Sequence, residues 1–229
     1  MKKLISKSER FFIAGSRGMV GQAIVKTLRK SGYGRSEYGG VLLTPSRKEL
    51  NLLNQKDVEK WFSKYKPTVV VLAAAKVGGI QANNSMPADF ILENLKIQNN
   101  VIENSWRTNV KRFLFLGSSC IYPKFAKQPI KEEYLLDGQL EKTNEWYAIA
   151  KIAGLKLCNA LRKQHGFDAI SLMPTNLYGP GDNYHPENSH VMAALISKFS
   201  KASLESKAFV ECWGSGKPLR EFLHVDDLG

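Results

Sequence analysis

Short apolar runs alternate along this chain with longer segments whose apolar residues recur at helical spacing. The short runs have the composition of buried strands: RFFIAG, GVLLT, TVVVLAA, RFLFLG and DAISLMP. Helical patterns follow from about Val20, near Lys56, near Phe90 and near Tyr147. Because strands that alternate with helices form parallel sheets with right-handed crossovers, we expect an α/β fold with a doubly wound parallel sheet. Ligands of such sheets bind at the carboxyl ends of the strands, where the strand order reverses.

The pattern loosens after Pro174, which indicates a second structural unit. The segment TNLYGPGDNYHPENSH is rich in Gly, Pro and Asn, and a short helix from about Val191 and a strand near AFVECW follow it. We expect a Rossmann-type dinucleotide-binding domain over residues 1–174 and part of a smaller substrate-binding domain over residues 175–229. The segment LHVDDLG is not followed by a helix that would close this unit, so we expect the second domain to be incomplete.

Two helical segments are apolar on more than one face. The apolar side chains are Phe90, Ile91, Leu95, Ile97, Val101, Ile102 and Trp106 in the first segment, and Trp146, Ile149, Ile152, Leu155, Leu157, Cys158 and Leu161 in the second. One face can pack on the sheet, and the other needs a further cover. We expect a homodimer with a two-fold interface formed by the helices near 88–108 and 144–163. A covering segment from the same chain is the alternative.

Composition and charge narrow the class of protein. The longest uncharged apolar run, at 69–75, is far shorter than the ~20 residues that cross a bilayer, and the N-terminus lacks the apolar centre of a signal peptide. We therefore expect a cytoplasmic protein without a membrane partner. The net charge of +12 is spread along the chain, which argues against a nucleic-acid partner and suits phosphorylated small molecules. Three scattered cysteines indicate neither a disulfide framework nor a metal site.

A glycine-rich segment lies between the first strand and the first helix. Gly15, Gly18 and Gly21 form a GxxGxxG pattern in AGSRGMVG. The same segment contains Ser16, Arg17, Met19 and Val20. Glycines here permit a tight turn and close approach of the backbone to a pyrophosphate, and the helix N-terminus supplies free N–H groups. The position in the β-α order favours a dinucleotide site over an ordinary glycine-rich turn.

Charged residues near this loop bear on the choice of cofactor. NAD-binding proteins hold the ribose diol with an Asp or Glu after the second strand, whereas an arginine suits the 2′-phosphate of NADP. Arg47 follows the second predicted strand, and Arg17 lies in the glycine loop. We therefore expect NADP(H). Glu49 lies close enough to keep NAD as an alternative, and a solvated surface charge is the alternative role for either arginine.

Tyr147 and Lys151 lie four residues apart in YAIAK, so they share one face of a helix. A phenol has a reference pKa of ~10, and a nearby ammonium should favour the phenolate. The ammonium should thereby lower the phenol pKa towards neutrality, where the group can transfer a proton. Ser118 ends the run RFLFLG and can hold the carbonyl oxygen to which the tyrosine gives a proton. The three residues together predict carbonyl reduction. A surface Tyr packed on a Lys stem is the alternative for the pair alone.

Cys120 and His190 suggest a second chemistry. If GSSCIYP is extended, Ser118 and Cys120 face the same way. A thiol with a reference pKa of ~8.5 and an imidazole near ~6.5 can remove a proton beside a carbonyl and return one from the other face, which is epimerisation. A small buried apolar role for Cys120 and a structural role for His190 are the alternatives.

These stretches together resemble one enzyme family. The chain resembles the GDP-L-fucose synthases in AGSRGMVG, SRKELNL, GSSCIYP, YAIAK, MPTNLYGPGDN, NSHV and WGSGKPLREFLHVDDL. These enzymes are the GDP-4-keto-6-deoxy-D-mannose epimerase-reductases of the extended short-chain dehydrogenase/reductase family. The likeness runs through nearly the whole chain. It is specific because the cysteine after the serines and the histidine in NSHV separate these enzymes from relatives that share only the glycine loop and YxxxK.

The resemblance implies a GDP-sugar substrate whose C3 and C5 are inverted before NADPH reduces its C4 ketone. It implies that Ser118, Tyr147 and Lys151 serve the reduction, and that Cys120 and His190 are the epimerising base and acid. The implied cofactor-binding residues are Gly15 to Gly21, Arg47, Leu116, Gly117, Ser118, Ser119, Lys151, Pro174, Thr175, Asn176, Leu177 and His190. The implied substrate-binding residues are Lys198, Trp213 and Arg220. Family members are homodimers through two helices per subunit, and their chains continue well beyond HVDD.

Two other classes of function stay open on the sequence. A sugar-nucleotide 4-epimerase or 4,6-dehydratase has the same architecture, but a dehydratase should show an Asp-Glu pair where this chain has Ser119 and Cys120. A non-catalytic NADP-binding regulator or an RNA-binding relative should show a broken Tyr-Lys pair, and the pair is intact here.

Overall fold

A parallel five-stranded sheet with helices on both faces forms the body of the protein. A computed structural model describes residues 5–185, 189–212 and 214–229. The strands are β1 Arg10–Ala14, β2 Val41–Leu43, β3 Val69–Leu72, β4 Arg112–Leu116 and β5 Ala169–Leu172. The helices between them are α1 Met19–Lys30, α2 Gln55–Tyr65, α3 Ile80–Ser85, α4 Pro87–Arg107 and α5 Glu145–His165. The sheet order is β2-β1-β3-β4-β5 with every pairing parallel, which confirms the α/β prediction.

Alternation along the strands divides the core between the two faces of the sheet. Phe11 and Ile13 of β1 belong to a cluster beneath α1, whereas Phe12 and Ala14 belong to the larger cluster beneath α2, α4 and α5. Both sets are almost completely buried. Strands that are covered on both faces read as continuous apolar runs, which explains why the sequence predicted them.

Helices α4 and α5 lie side by side over the larger cluster. Their outer face keeps large apolar side chains in contact with solvent, including Leu92 at 52%, Trp146 at 41% and Ile149 at 37% exposure. The exposed Trp146 and Ile149 confirm the predicted second apolar face of α5, whereas on α4 the exposed apolar residue is Leu92, which the prediction did not include. No helix in the described part of the chain is long and apolar enough to cross a bilayer.

The segment after β5 forms a smaller unit that contacts α1. It contains β6 Asn176–Tyr178, α6 Val191–Leu204, β7 Phe222–His224 and α7 Val225–Leu228, with β6 and β7 paired in parallel. Helix α7 packs on α1, where Lys26 Nζ lies 2.6 Å from Asp226 Oδ2. The helix predicted from Val191 is confirmed.

The strand predicted near AFVECW is wrong over its described residues, 208–212, which have no regular structure. Phe209 is 82% exposed, and the preceding turn holds Ser206 at a φ of +51°. A strand forms only where a neighbouring strand accepts and donates its backbone hydrogen bonds. Within the described part of this unit β6 and β7 pair with each other, and neither pairs with this segment.

Candidate active site

The carboxyl ends of the five strands meet at one edge of the sheet, and most of the candidate residues lie along it. β1 leads into Gly15, β4 into Gly117 and β5 into Met173. The strand order reverses between β1 and β3. The crevice at such a reversal is the usual ligand site of an open parallel sheet.

Two glycines, Gly15 in the loop after β1 and Gly21 in the first turn of α1, are required by close backbone contacts. Gly15 has a φ of +87°, and a Cβ there would lie 2.7 Å from the backbone nitrogen of Ala74. A Cβ on Gly21 would collide with the carbonyl of Gly15. Gly18 immediately precedes α1, which begins with Met19 and Val20. The loop and the N-terminus of α1 therefore have the geometry expected for a pyrophosphate site.

A basic cleft opens beside this loop. Its volume is ≈ 330 Å³, and its lining includes Ser16, Arg17, Lys26, Arg29 and Thr44. Ser16 is buried, and its hydroxyl has no hydrogen-bond partner among the residues that the structure describes. A buried hydroxyl without a partner and several cations suit the phosphates of a dinucleotide. The residues present therefore fit NADP(H).

Glu49 is engaged within its own turn. Its Oε2 accepts the backbone N–H of Ser46 at 2.7 Å, and Ser46 Oγ accepts the backbone N–H of Glu49 at 3.3 Å. This reciprocal pair is a capping box. Hydrogen bonds from Ser46, and the charge of Arg17, hold the pKa of Glu49 below its ordinary value. The Glu49 carboxylate is thus bonded to Ser46, whereas Arg47 on the same turn is exposed. The turn after β2 therefore favours the 2′-phosphate of NADP over the free ribose diol of NAD.

The segment after β4 is not extended as the sequence predicted. Ser118 is extended, with a φ of −161°, but Ser119–Ile121 form a short 3-10 helix in which Cys120 lies. Ser118 Oγ accepts the backbone N–H of Cys120 at 3.4 Å, which caps this turn. The expectation that the two side chains face one way through strand alternation was therefore wrong. The turn nevertheless keeps both residues near Tyr147, where a hydrogen bond with Ser118 lowers the pKa of the phenol and the charge of a Cys120 thiolate raises it.

Lys151 is held beneath the site by the end of β4. It is 5% exposed, and its Nζ donates a hydrogen bond of 2.7 Å to the carbonyl oxygen of Leu116. The ammonium lies 5.0 Å from the centre of the Phe115 ring and 5.7 Å from that of Tyr147. Burial lowers the pKa of Lys151 to about 8, and the negative charge of a Cys120 thiolate opposes that shift.

Burial also decides the state of the phenol and the thiol. It raises the pKa of Tyr147, and the charge of a Cys120 thiolate raises it further, while a hydrogen bond with Ser118 lowers it. The expectation that the ammonium brings this pKa towards neutrality is thus wrong for this structure. Burial likewise raises the pKa of Cys120, against the lowering effects of Ser118 and of the Lys151 charge. Tyr147 is therefore a protonated phenol that can donate a proton.

The cofactor-binding residues predicted near β5 and β6 lie where the chain passes from the sheet into the smaller unit. The backbone N–H of Ser119 donates to the Pro174 carbonyl at 3.2 Å. The side chains of Thr175 and Asn176 both donate to the Glu221 carbonyl, each at 3.0 Å. Leu116 and Gly117 are buried, and Leu177 is half-buried in β6. These positions border the strand edge that contains Ser118.

The structure does not join the remaining predicted residues to this cluster. His190 immediately precedes α6 with an exposed side chain, and among the described residues no hydrogen bond or ion pair links it to Cys120. Lys198 lies on α6 and donates to the Glu211 carbonyl at 3.4 Å. Arg220 is exposed and donates to the carbonyl of its neighbour Leu219. Trp213 lies outside the described residues.

Sequence reasoning missed two buried amides of α4 that position the site. Asn94 is 2% exposed and binds the backbone of Lys76 in the loop after β3. Gln98, also 2% exposed, donates a hydrogen bond of 2.6 Å to the carbonyl of Ala150, next to Lys151. Their spacing of four within an otherwise apolar face was the available signal, because a polar side chain on a buried face needs a partner.

Comparisons with known proteins agree with this geometry. The NAD dependent epimerase/dehydratase family model matches residues 11–229. GDP-L-fucose synthase 1 of Arabidopsis thaliana is 58% identical over 228 residues, which are 100% of this chain and 69% of the relative. GDP-L-fucose synthase of Escherichia coli K12 is 54% identical over 220 residues, which are 96% and 67% of the two chains. The crystal structure of a GDP-L-fucose synthetase from Naegleria fowleri bound to NADP has a TM-score of 0.85 and 31% identity, covering 99% of this chain and 72% of that one. The chain therefore belongs to the NAD dependent epimerase/dehydratase family.

Proposed function

We propose that this protein converts GDP-4-keto-6-deoxy-D-mannose to GDP-L-fucose with NADPH, by epimerisation at C3 and C5 followed by reduction of the C4 ketone. Similarity to the GDP-L-fucose synthases of Arabidopsis thaliana and Escherichia coli supports the reaction. The observation that carries the proposal is the thiol of Cys120 beside Tyr147 and Lys151, since reduction alone has no use for a thiol at this position.

In the reduction, this chain positions and protonates the ketone oxygen. NADPH supplies the hydride when it is bound against the glycine loop. Ser118 holds the oxygen, and the protonated phenol of Tyr147 gives its proton as negative charge develops there. Lys151 is fixed by Leu116 so that its ammonium lies under the phenol ring and stabilises the phenolate that forms.

In the epimerisation, Cys120 removes the proton beside the ketone and His190 returns one from the opposite face. The Lys151 ammonium is the charge that stabilises the Cys120 thiolate, as its lowering effect on the thiol pKa indicates. Exposure of His190 leaves its imidazole accessible to a substrate. Proton removal next to a carbonyl needs a base within direct reach of the carbon, which is why a turn beside the phenol suits Cys120.

We assign the remaining positions by the same reasoning. Residues 1–174 bind NADP(H), with Ser16, Arg17 and Arg47 facing its phosphates, and residues 175–229 contribute to the site of the GDP-sugar through Lys198, Trp213 and Arg220. We place the protein in the cytoplasm, because the three cysteines are free thiols.

We further propose that two copies associate through α4 and α5. Leu92 of α4 and Trp146 and Ile149 of α5 support this arrangement, because these two adjacent helices expose large apolar side chains. Two adjacent helices with an apolar outer face form a self-complementary surface that a two-fold axis can bury.

The test is to incubate the protein with NADPH and GDP-4-keto-6-deoxy-D-mannose in heavy water. We expect NADPH absorbance to fall and deuterium to appear at C3 and C5. The variant Cys120→Ser should lose at least about a hundredfold in deuterium incorporation, the usual size of an acid-base contribution, while its affinity for NADPH stays unchanged. Cys212→Ser is the matched control, because that thiol is exposed, and it should behave like the parent protein. Normal exchange in Cys120→Ser would refute the role given to the thiol.

A further inference from the structure

The loop after β3, residues 73–79, runs between the glycine loop and the segment that contains His190. At its start, the backbone of Ala74 lies against Gly15. Near its end, Gly79 packs on Ser189, since a Cβ on Gly79 would lie 2.5 Å from the Ser189 carbonyl oxygen. Ser189 immediately precedes His190. The loop therefore supports the backbone on which His190 stands.

The first half of this loop is fixed by α4. Asn94 Oδ1 accepts the backbone N–H of Lys76 at 2.9 Å, and Asn94 Nδ2 donates to the Lys76 carbonyl at 3.0 Å. The Lys76 ammonium forms ion pairs with Asp89 at 3.1 Å and Glu93 at 2.7 Å. Both partners raise the pKa of Lys76, so this lysine stays charged at neutral pH.

The second half of the loop is fixed by one residue, Asn83 of α3. Its Nδ2 donates to the carbonyls of Gly78 at 2.8 Å and Gly79 at 3.1 Å. Asn83 is 6% exposed, so these bonds are shielded from water. Without this amide, the Gly78 carbonyl would lose its donor, and the Gly79 carbonyl would keep only the backbone N–H of Asn83, in the part of the loop that touches Ser189.

The contact between this part of the loop and Ser189 buries polar atoms at a cost in free energy, which a purely stabilising contact would avoid. Asn83 Oδ1 and Ser189 Oγ are both buried without a hydrogen-bond partner among the described residues. An apolar contact would avoid that cost, so the two unpaired groups need an explanation other than stability. The His190 side chain is exposed and does not cap α6, so the contacts of its backbone are what the loop can use to position it.

From these contacts we infer that Asn83 is a positioning residue for His190, an inference that rests on the proposed function. The chain of contacts runs from the Asn83 amide to Gly79, from Gly79 to the Ser189 carbonyl, and from Ser189 to His190. Asn83 itself touches no reacting atom. Its loss should weaken the return of a proton by His190 and leave hydride transfer and cofactor binding unaffected.

The experiment measures deuterium incorporation at C3 and C5 in heavy water, together with NADPH affinity. Asn83→Ala should lower incorporation about tenfold, the effect of one lost buried hydrogen bond on a positioned group, with NADPH affinity unchanged. Asn83→Asp, which keeps the shape and loses the amide donors, should lower it similarly and serves if the alanine variant does not fold. Gly79→Ala should do the same with Asn83 intact, because its methyl group displaces Ser189. Asn84→Ala, an exposed neighbour on α3, is the control and should match the parent protein.

A double-mutant cycle separates positioning from a general structural role. In a His190→Asn background, Asn83→Ala should cause no further loss of incorporation. Equal losses in both backgrounds, or unchanged incorporation in Asn83→Ala, would overturn the inference while the proposed function stands. Absence of incorporation in the parent protein would overturn both.

Discussion

Lys151 lies 5% exposed under the Tyr147 ring, and this burial determines its acid-base behaviour. A buried ammonium loses hydration that one hydrogen bond to Leu116 only partly replaces. The helical spacing of Tyr147 and Lys151 could be predicted from the sequence. The pKa values could not, because they depend on how deeply the pair is buried, and residue spacing carries no information on burial.

Replacing Lys151 tests this effect through the pH dependence of stability. The folded protein releases the Lys151 proton near pH 8, whereas the unfolded chain holds it to about 10.5. Between these values the unfolded state binds more protons, so the contribution of Lys151 to the free energy of unfolding rises with pH. The variant Lys151→Met lacks this pH-dependent contribution to the free energy of unfolding. The stability of the variant relative to the parent should therefore fall by up to about 3 kcal/mol from about pH 7 to about pH 10, by urea unfolding.

The control for this measurement is Lys156→Met, at an exposed position on the same helix. This variant removes an exposed ammonium, and its free energy of unfolding relative to the parent is the baseline for Lys151→Met at each pH. A pH-independent difference between Lys151→Met and the parent would show that Lys151 is hydrated in the folded protein.

At the scale of elements, the five strands of the sheet could be predicted because each is a continuous apolar run. β6 and β7 could not, since each has only three residues and each exists through pairing with a segment about 46 positions away, as Asn176 pairs with Phe222. The turn that contains Cys120 was also missed. It depends on the Ser118 hydroxyl accepting a backbone hydrogen bond, a local alternative to the continued strand.

The crossing of α4 and α5 depends on the absence of a side chain at Gly154. A Cβ there would lie 2.6 Å from the Phe115 ring and 2.8 Å from Gln98 Oε1. Neither can move freely, because Phe115 is fully buried and Gln98 is bonded to the Ala150 carbonyl. Gly154→Ala gains about 1 kcal/mol of helix propensity, and overpacking costs about 1 to 3 kcal/mol. We expect net destabilisation, measured by chemical unfolding.

A second alanine variant on α5 measures the effect of helix propensity by itself. Asn159 is exposed on α5, so Asn159→Ala changes propensity without entering the crossing. It should stabilise the protein by about 0.5 kcal/mol. If Gly154→Ala were as stable as Asn159→Ala, the helices would have to separate without cost, and the crossing would tolerate a side chain at Gly154.

At the scale of the whole molecule, the outer face of α4 and α5 links the candidate site to association. Tyr147 and Lys151 lie on the same helix as Trp146 and Ile149, so a partner that covers this face also restrains the helix that carries the proton donor. The sequence predicted the apolar face from helical periodicity. It could not distinguish a second copy from a covering segment of the same chain, because both bury the same side chains.

A charge on this face should separate the chains. Ile149→Lys or Leu92→Lys would bury an unpaired ammonium in a two-fold interface, twice per dimer, at a cost of several kcal/mol. In sedimentation velocity the parent protein should sediment as a dimer, and each of the two variants should sediment as a monomer. Leu204→Lys, at a position 87% exposed on α6, is the control and should remain a dimer. If the same chain covers this face instead, the parent will sediment as one chain, and Ile149→Lys will lower its stability without changing its mass.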